Sequence, residues 1–189
     1  FAGVNLGDEG MITLCKCLKQ NRSVLELNFR CNHVGDQGAV ALSDALKFNQ
    51  TLTTVYLGWN MVEVRGAAAL AEALKVNKSL ETLELQDNKL GQQGVCAIVH
   101  SLEFNSKLKS LDVGGNSIGE EGFVSIAEAL KKNRTLTQFH NYGEEVGDEG
   151  LIALTDAFEC SSNLKSISIK YSTCSDHLRD RFIQILEHR

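Results

Sequence analysis

The sequence predicts an α/β solenoid with one strand and one helix per repeat, and three observations predict it. Residues recur at a step of 28 in several independent columns: Leu18, Leu46, Leu74, Leu102 and Leu130; Gly10, Gly38, Gly66, Gly94, Gly122 and Gly150; Asn32, Asn60, Asn88 and Asn116. Two hydrophobic periods alternate inside each step, one of two residues and one of three to four. No insertion interrupts the step between residues 4 and 175, so the units are equivalent and must stack to bury their apolar faces.

The first element is a helix from about Asp8 to Lys19, with no complete strand before it: Val4 stands where the asparagine column would place a residue like Asn32. The chain opens at Phe1 without an initiator methionine, and residues 1–189 are read as a single domain truncated at its N-terminus. Each following strand has the pattern of Ser79 to Asn88, where Leu83 and Leu85 stand two apart and bury one face. Each following helix has the pattern of Gly91 to Asn105, with Val95, Ile98, Val99 and Leu102 in one stripe. Cys17, Ala45, Ala73, Ser101, Ala129 and Ala157 share a column of small residues, where neighbouring helices approach closely. The asparagine after the helix (Asn21, Asn49, Asn77, Asn105, Asn133) suits a left-handed helix end. The asparagine after the strand can bond the turn backbone and form a ladder along the stack.

The fifth strand breaks the pattern. Asn141 falls where Leu85 and Val113 are buried, and Glu144 replaces the ladder asparagine. A bulge that re-aims Asn141 is the expected remedy, because a buried polar side chain without a partner costs roughly 1–3 kcal/mol. The last segment, from about residue 175 to 187, keeps Leu178, Phe182, Ile185 and Leu186 on one face and charges elsewhere, as a capping helix requires.

The units LxxLxLxxN, as in LETLELQDN, with a G-x-x-G helix start and LKxNxSL, resemble leucine-rich repeats of the ribonuclease-inhibitor subfamily, which also occur in NOD-like receptors and tropomodulin. The resemblance covers the whole chain. It implies a curved solenoid with parallel strands on the concave face and helices on the convex face. It also implies a non-enzymatic platform for protein partners. The alternatives it leaves open are an actin-associated, tropomodulin-like component and the sensing region of a NOD-like receptor, in which a nucleotide-binding domain would precede Phe1. Inhibition of ribonuclease is disfavoured, since that horseshoe needs about twice as many repeats.

Composition narrows the partner. Twenty-four acids against 19 bases give a net charge of −5, which favours neither nucleic acid nor an anionic membrane. No apolar run is long enough to insert into a bilayer. Proline is absent, which argues against an interdomain linker. Six cysteines fall mostly in columns filled elsewhere by small or apolar residues, so they are read as reduced and mainly buried, and the chain as cytoplasmic. Four glycosylation sequons share one phase of the repeat and are by-products of its turn.

The register lays out the concave face. One row runs Asn28, Tyr56, Glu84, Asp112, His140, Ser168; beside it run Arg30, Gly58, Gln86, Gly114, Tyr142, Lys170 and Cys31, Trp59, Asp87, Gly115, Gly143, Tyr171. Asp112, His140 and Ser168 fall in the order of a hydrolase triad, but side chains on adjacent parallel strands project side by side and no oxyanion donors can be named. Glu84 and Asp112 offer two carboxylates and too few ligands for a metal. No catalytic, cofactor or metal site is therefore assigned. The partner-binding residues are read as Tyr56, Trp59, Glu84, Asp87, Asp112, His140 and Tyr142, aromatic anchors beside acids, facing a partner with a basic, partly apolar surface. Phe48, Val76 and Phe104 form a further column, either tucked under the following strand or exposed as a second contact strip.

Overall fold

The computed structural model describes residues 1–188. Helices and strands alternate: α1 (Gly7–Leu18), β1 (Glu26–Asn28), α2 (Asp36–Leu46), β2 (Thr54–Tyr56), α3 (Val64–Val76), β3 (Thr82–Glu84), α4 (Gly91–Ser101), β4 (Ser110–Asp112), α5 (Glu120–Lys132), β5 (Gln138–Glu145), α6 (Asp148–Cys160), β6 (Ser166–Lys170) and α7 (Asp176–Glu187). The strands form one parallel sheet in the order β1-β2-β3-β4-β5-β6. Its register is the 28-residue step itself, with Tyr56 opposite Glu84, Glu84 opposite Asp112, and Asp112 opposite His140.

Strands pair about 4.8 Å apart, whereas packed helices need 8–10 Å, so a stack of such units bends with its helices outside. Between the layers lies one core. Leu27, Val55, Leu83, Leu111, Phe139 and Ile167 enter it from the strands, and Leu42, Leu70, Ile98, Ile126 and Leu154 from the helices.

Two asparagine ladders tie successive repeats. In the first, Asn60 Oδ1 accepts from the amides of Asn32 and Val34, while its Nδ2 donates to the carbonyls of Phe29, Leu57 and Gly58. The second ladder corrects the expectation of a left-handed helix end. Asn77 and Asn133 are extended (φ −68°) rather than left-handed. Asn77 Nδ2 donates to the carbonyls of Leu46 and Asn49, and its Oδ1 accepts from the amides of Ser79 and Leu80. The side chain replaces the turn that a positive φ would have supplied.

A third tie uses acids. Asp8 Oδ1 accepts from the amides of Gly35 and Gly38, and Asp36 Oδ1 from those of Glu63 and Gly66. Glu120 does the same for Gly147 and Gly150. Each acid thus satisfies free donors at the start of the next repeat's helix and places negative charge at the positive end of its dipole. Val64 and Gln92 interrupt this column.

The irregular strand behaves differently from its expectation. Strand β5 is extended to eight residues, and its pairing with β6 shifts between Asn141 and Glu145. Asn141 is not re-aimed: it remains 0% exposed, and neither side-chain polar atom has a partner. The shift falls after it, so Asn141 still pairs in register with Ile169 and still faces the core. Glu144 takes over half of the ladder, its Oε1 accepting from Asn116 N at 2.7 Å and its Oε2 from Ile118 N at 2.5 Å. As a carboxylate it cannot donate, so the carbonyl side of the ladder ends at Asn116.

All six cysteines are free, as expected, but most are not buried. Only Cys15 and Cys174 are. Burial pushes the Cys15 thiol up to about 12, which makes it inert at neutral pH. Cys17 is exposed although Ala45, Ala73 and Ala129 in its column are buried, because among the described residues no helix packs on that side of α1.

Candidate functional site

Rows of side chains that the core does not need cover the concave face. At its centre Arg30 reaches across two strands. Its guanidinium pairs with the Glu84 carboxylate and lies 4.4 Å from the Tyr56 ring centroid and 5.7 Å from that of Trp59. Gln86 Nε2 donates to the same Glu84 oxygen at 3.3 Å. Gly58 makes room for this arrangement, since a Cβ there would lie 2.6 Å from the Gln86 side chain.

The sequence register brings Tyr56, Glu84, Asp112 and His140 into one row, as expected. What it did not reveal is that Glu84 and Tyr56 already share a cation of this chain. Arg30 stands in the sequence-derived rows, but nothing in its spacing distinguishes a long side chain folded along the sheet from one reaching into solvent.

Asp112 is a different case. Burial pushes its carboxyl above the ordinary range, and nearby Asp87 adds to the effect; the Gly114 amide, His140 and Arg30 pull the other way. Gly114 N donates to Asp112 Oδ1 at 3.0 Å. Among the described residues neither Asp87 nor Asp112 forms an ion pair. Trp59 and Tyr142 flank them, 49% and 62% exposed. Trp59 and Asp87 both adopt left-handed backbone (φ 54° and 52°).

His140 stacks on Tyr142 with centroids 6.2 Å apart, and its Nδ1 has no hydrogen-bond partner. Asp112, His140 and Ser168 are therefore neighbours in register without the hydrogen-bonded relay that a nucleophilic hydroxyl requires. Among the described residues no three His, Cys, Asp or Glu side chains converge as metal ligands, and no helix is long and apolar enough to cross a membrane.

On the outer edge the alternative left open by the sequence is decided. Phe48, Val76 and Phe104 are exposed by 61%, 52% and 65%, so they belong to the surface and not to the core. Lys19 lies over the Phe48 ring and Lys75 over that of Phe104.

Among curated proteins no sequence matches the chain. In structure it is similar to a solved structure titled "Leiomodin-1 Actin-Binding Site 2 (ABS2)", with a TM-score of 0.70, 22% identity, and coverage of 92% of this chain and 94% of that one. It is also similar to a tropomodulin C-terminal domain from Caenorhabditis elegans, with a TM-score of 0.60, 14% identity, and coverage of 93% and 91%. At these identities the likeness is one of fold. A family model described as a leucine-rich repeat matches residues 20–43, 48–71, 76–99 and 104–127, four successive units in the observed register. With that match and the parallel strand-and-helix stack, the chain belongs to the leucine-rich repeat family.

Proposed function

We propose that this leucine-rich repeat chain is a non-enzymatic protein-binding domain whose concave face takes a partner with a basic, partly apolar surface. One observation carries the reading. Asp87 and Asp112 lie together and form no ion pair among the described residues, beside two exposed aromatic side chains, while the adjacent Glu84 is already answered by Arg30. A partner's lysine or arginine would supply what Arg30 supplies one strand away, and Trp59 and Tyr142 would bury its apolar stem. His140 and Tyr142 extend the same face toward β5. The six unpaired cysteines favour a cytosolic setting for this binding. The single sheet from β1 to β6 favours treating residues 1–189 as one binding unit.

Selection of a displayed random-peptide library on the immobilised chain tests the reading. Enriched peptides should combine Lys or Arg with aromatic or aliphatic residues. Their affinity should fall on Trp59→Ala by about 2 kcal/mol. Asp87→Lys with Asp112→Lys should slow association and remove its salt dependence. Peptides that bind these variants as tightly as the wild type would remove the concave face from consideration.

The likeness to a leiomodin-1 fragment titled as an actin-binding site favours a second reading, in which the partner is actin. Co-sedimentation with filaments and size-exclusion with monomeric actin test it directly. Binding that Trp59→Ala abolishes would unite the two readings, and absence of binding to both forms would leave only the first.

A further inference from the structure

The three exposed apolar residues on the outer edge stand apart from the concave face and are unexplained by it. Phe48, Val76 and Phe104 occupy one column, Val76 as the last residue of α3 and the two phenylalanines just after α2 and α4. Folding gains nothing from a phenylalanine that leaves well over half of its surface in water, and three such residues in successive repeats make a continuous strip. Their surroundings are basic. Lys19, Lys47 and Lys75 lie on the helix side, the first and last of them over phenylalanine rings at 5.7 and 5.8 Å. The next member of that column, Glu103, is neutralised by Lys132 at 2.9 Å. Lys78 and Lys107 lie in the loops after α3 and α4 and form no ion pair among the described residues.

The helix dipole explains part of this charge, since lysines suit the ends of α2 and α3, and Lys47 and Lys75 are further paired with Asp44 and Glu72. It does not explain Lys78 and Lys107, which lie beyond the helices, nor any of the apolar residues. A strip that is apolar along its middle and cationic on both sides is complementary to a segment that is apolar along one stripe and acidic beside it. A helical segment can follow such a strip. Packed helices stand about 8–10 Å apart, and two turns of a docked helix rise ~10.8 Å. The mismatch of about 1–3 Å per repeat is one that side chains as long as phenylalanine and leucine can span.

We infer that the strip formed by Phe48, Val76 and Phe104 is a second docking surface, which receives an acidic amphipathic helix of a partner protein. The occupant places apolar residues two turns apart against the three side chains and its carboxylates against Lys19, Lys78 and Lys107. This surface is independent of the concave face, and the two select opposite charge.

Two synthetic helical peptides test it by fluorescence anisotropy against the whole chain. One carries leucines on a seven-residue repeat with glutamates flanking them; in the other, lysines replace the glutamates. The acidic peptide should bind at least about tenfold more tightly than the basic one. Phe48→Ser with Phe104→Ser should weaken it about tenfold or more. Lys78→Glu with Lys107→Glu should weaken it and flatten its salt dependence. Trp59→Ala should leave it unchanged, which separates this surface from the concave one. All these positions are exposed, and circular dichroism of each variant verifies that it is folded. Failure of the acidic peptide to bind, equal binding of the basic peptide, undiminished binding by the double phenylalanine variant, or loss on Trp59→Ala would each overturn the inference.

Discussion

From Asn32 to Asn116 one repeat is joined to the next by an amide side chain that both accepts and donates. It accepts from two backbone nitrogens at Asn32 and Asn60 and from one at Asn88 and Asn116, and it donates to two or three carbonyls. At β5 the junction is remade from other parts: Glu144 accepts only, Asn141 is buried without partners, and the strand shifts register before β6. The difference shows what the asparagine column contributes. An amide serves both sides of a repeat boundary, while a carboxylate serves one and leaves the following backbone to accommodate itself. The accommodation is visible at Gly114, where a Cβ would sit 2.6 Å from the Tyr142 nitrogen. The segment just after β4 gives up a side chain because the longer β5 leans on it.

The largest effect should come from breaking the regular half. Asn60→Ala leaves two buried amides and several carbonyls unsatisfied and should cost about 3 kcal/mol or more in urea unfolding. Glu144→Ala should cost less, because only two bonds are lost and both lie at a partly buried site. Equal losses would abolish the distinction between the two junctions.

Gly114→Ala should cost about 2 kcal/mol, since the new methyl meets backbone that cannot rotate away. Gly58→Ala, one column position equivalent but facing only the flexible Gln86 side chain, should stay within about 0.5 kcal/mol. Next in size, Asn141→Leu should stabilise the protein by about 1 kcal/mol, as it removes two unpartnered polar atoms and restores the apolar type of Leu85 and Val113 at a similar volume. A destabilised Asn141→Leu would mean that the buried amide is satisfied in solution by water.

The smallest effect concerns the end of the stack. Lys170 and Ser172 hold the Glu145 carboxyl down to about 2, and Ser175 holds Asp148 below its usual range. Carboxyls depressed in the folded state contribute above their unfolded pKa and cease to contribute as pH falls through the folded value. Protection of the α7 amides, measured against their intrinsic exchange rate at each pH, should therefore fall as pH drops from about 4.5 toward 2, and Glu145→Gln should flatten that dependence. An unchanged profile would detach α7 from these two acids.

Much of this was legible beforehand, because a repeat makes each residue's environment readable from its column. The parallel register, the buried strand residues and the adjacency of Tyr56, Glu84, Asp112 and His140 all follow from the 28-residue step. What a column cannot carry is a departure specific to one repeat. Arg30 crosses two strands to Glu84, a contact governed by side-chain length and not by period. The acids at Asp8, Asp36, Glu120 and Asp148 do recur in one column and could have been found there; Val64 and Gln92 obscured it. Asn141 stands out as misplaced in its column, but its fate depends on where the bulge falls, and composition does not mark that the register shifts only between Asn141 and Glu145. Exposure of Phe48 and Phe104 was undecidable, since a column of aromatic residues looks the same above or below a strand.

The two ladders also bear on how the molecule would respond to a pull. Units that are marginal alone and joined by strong, repeated contacts behave like a one-dimensional chain of coupled spins, in which a boundary between folded and unfolded segments is expensive wherever the coupling is uniform. The coupling here is two-sided up to Asn116, with the amide both accepting and donating, and one-sided just beyond it, where Glu144 only accepts. Tension applied through the C-terminus would therefore move such a boundary to the β4–β5 junction and halt it there. Strands β5 and β6 with helices α6 and α7 would yield first, and the asparagine-coupled stack before them would hold as a mechanical fuse's intact half.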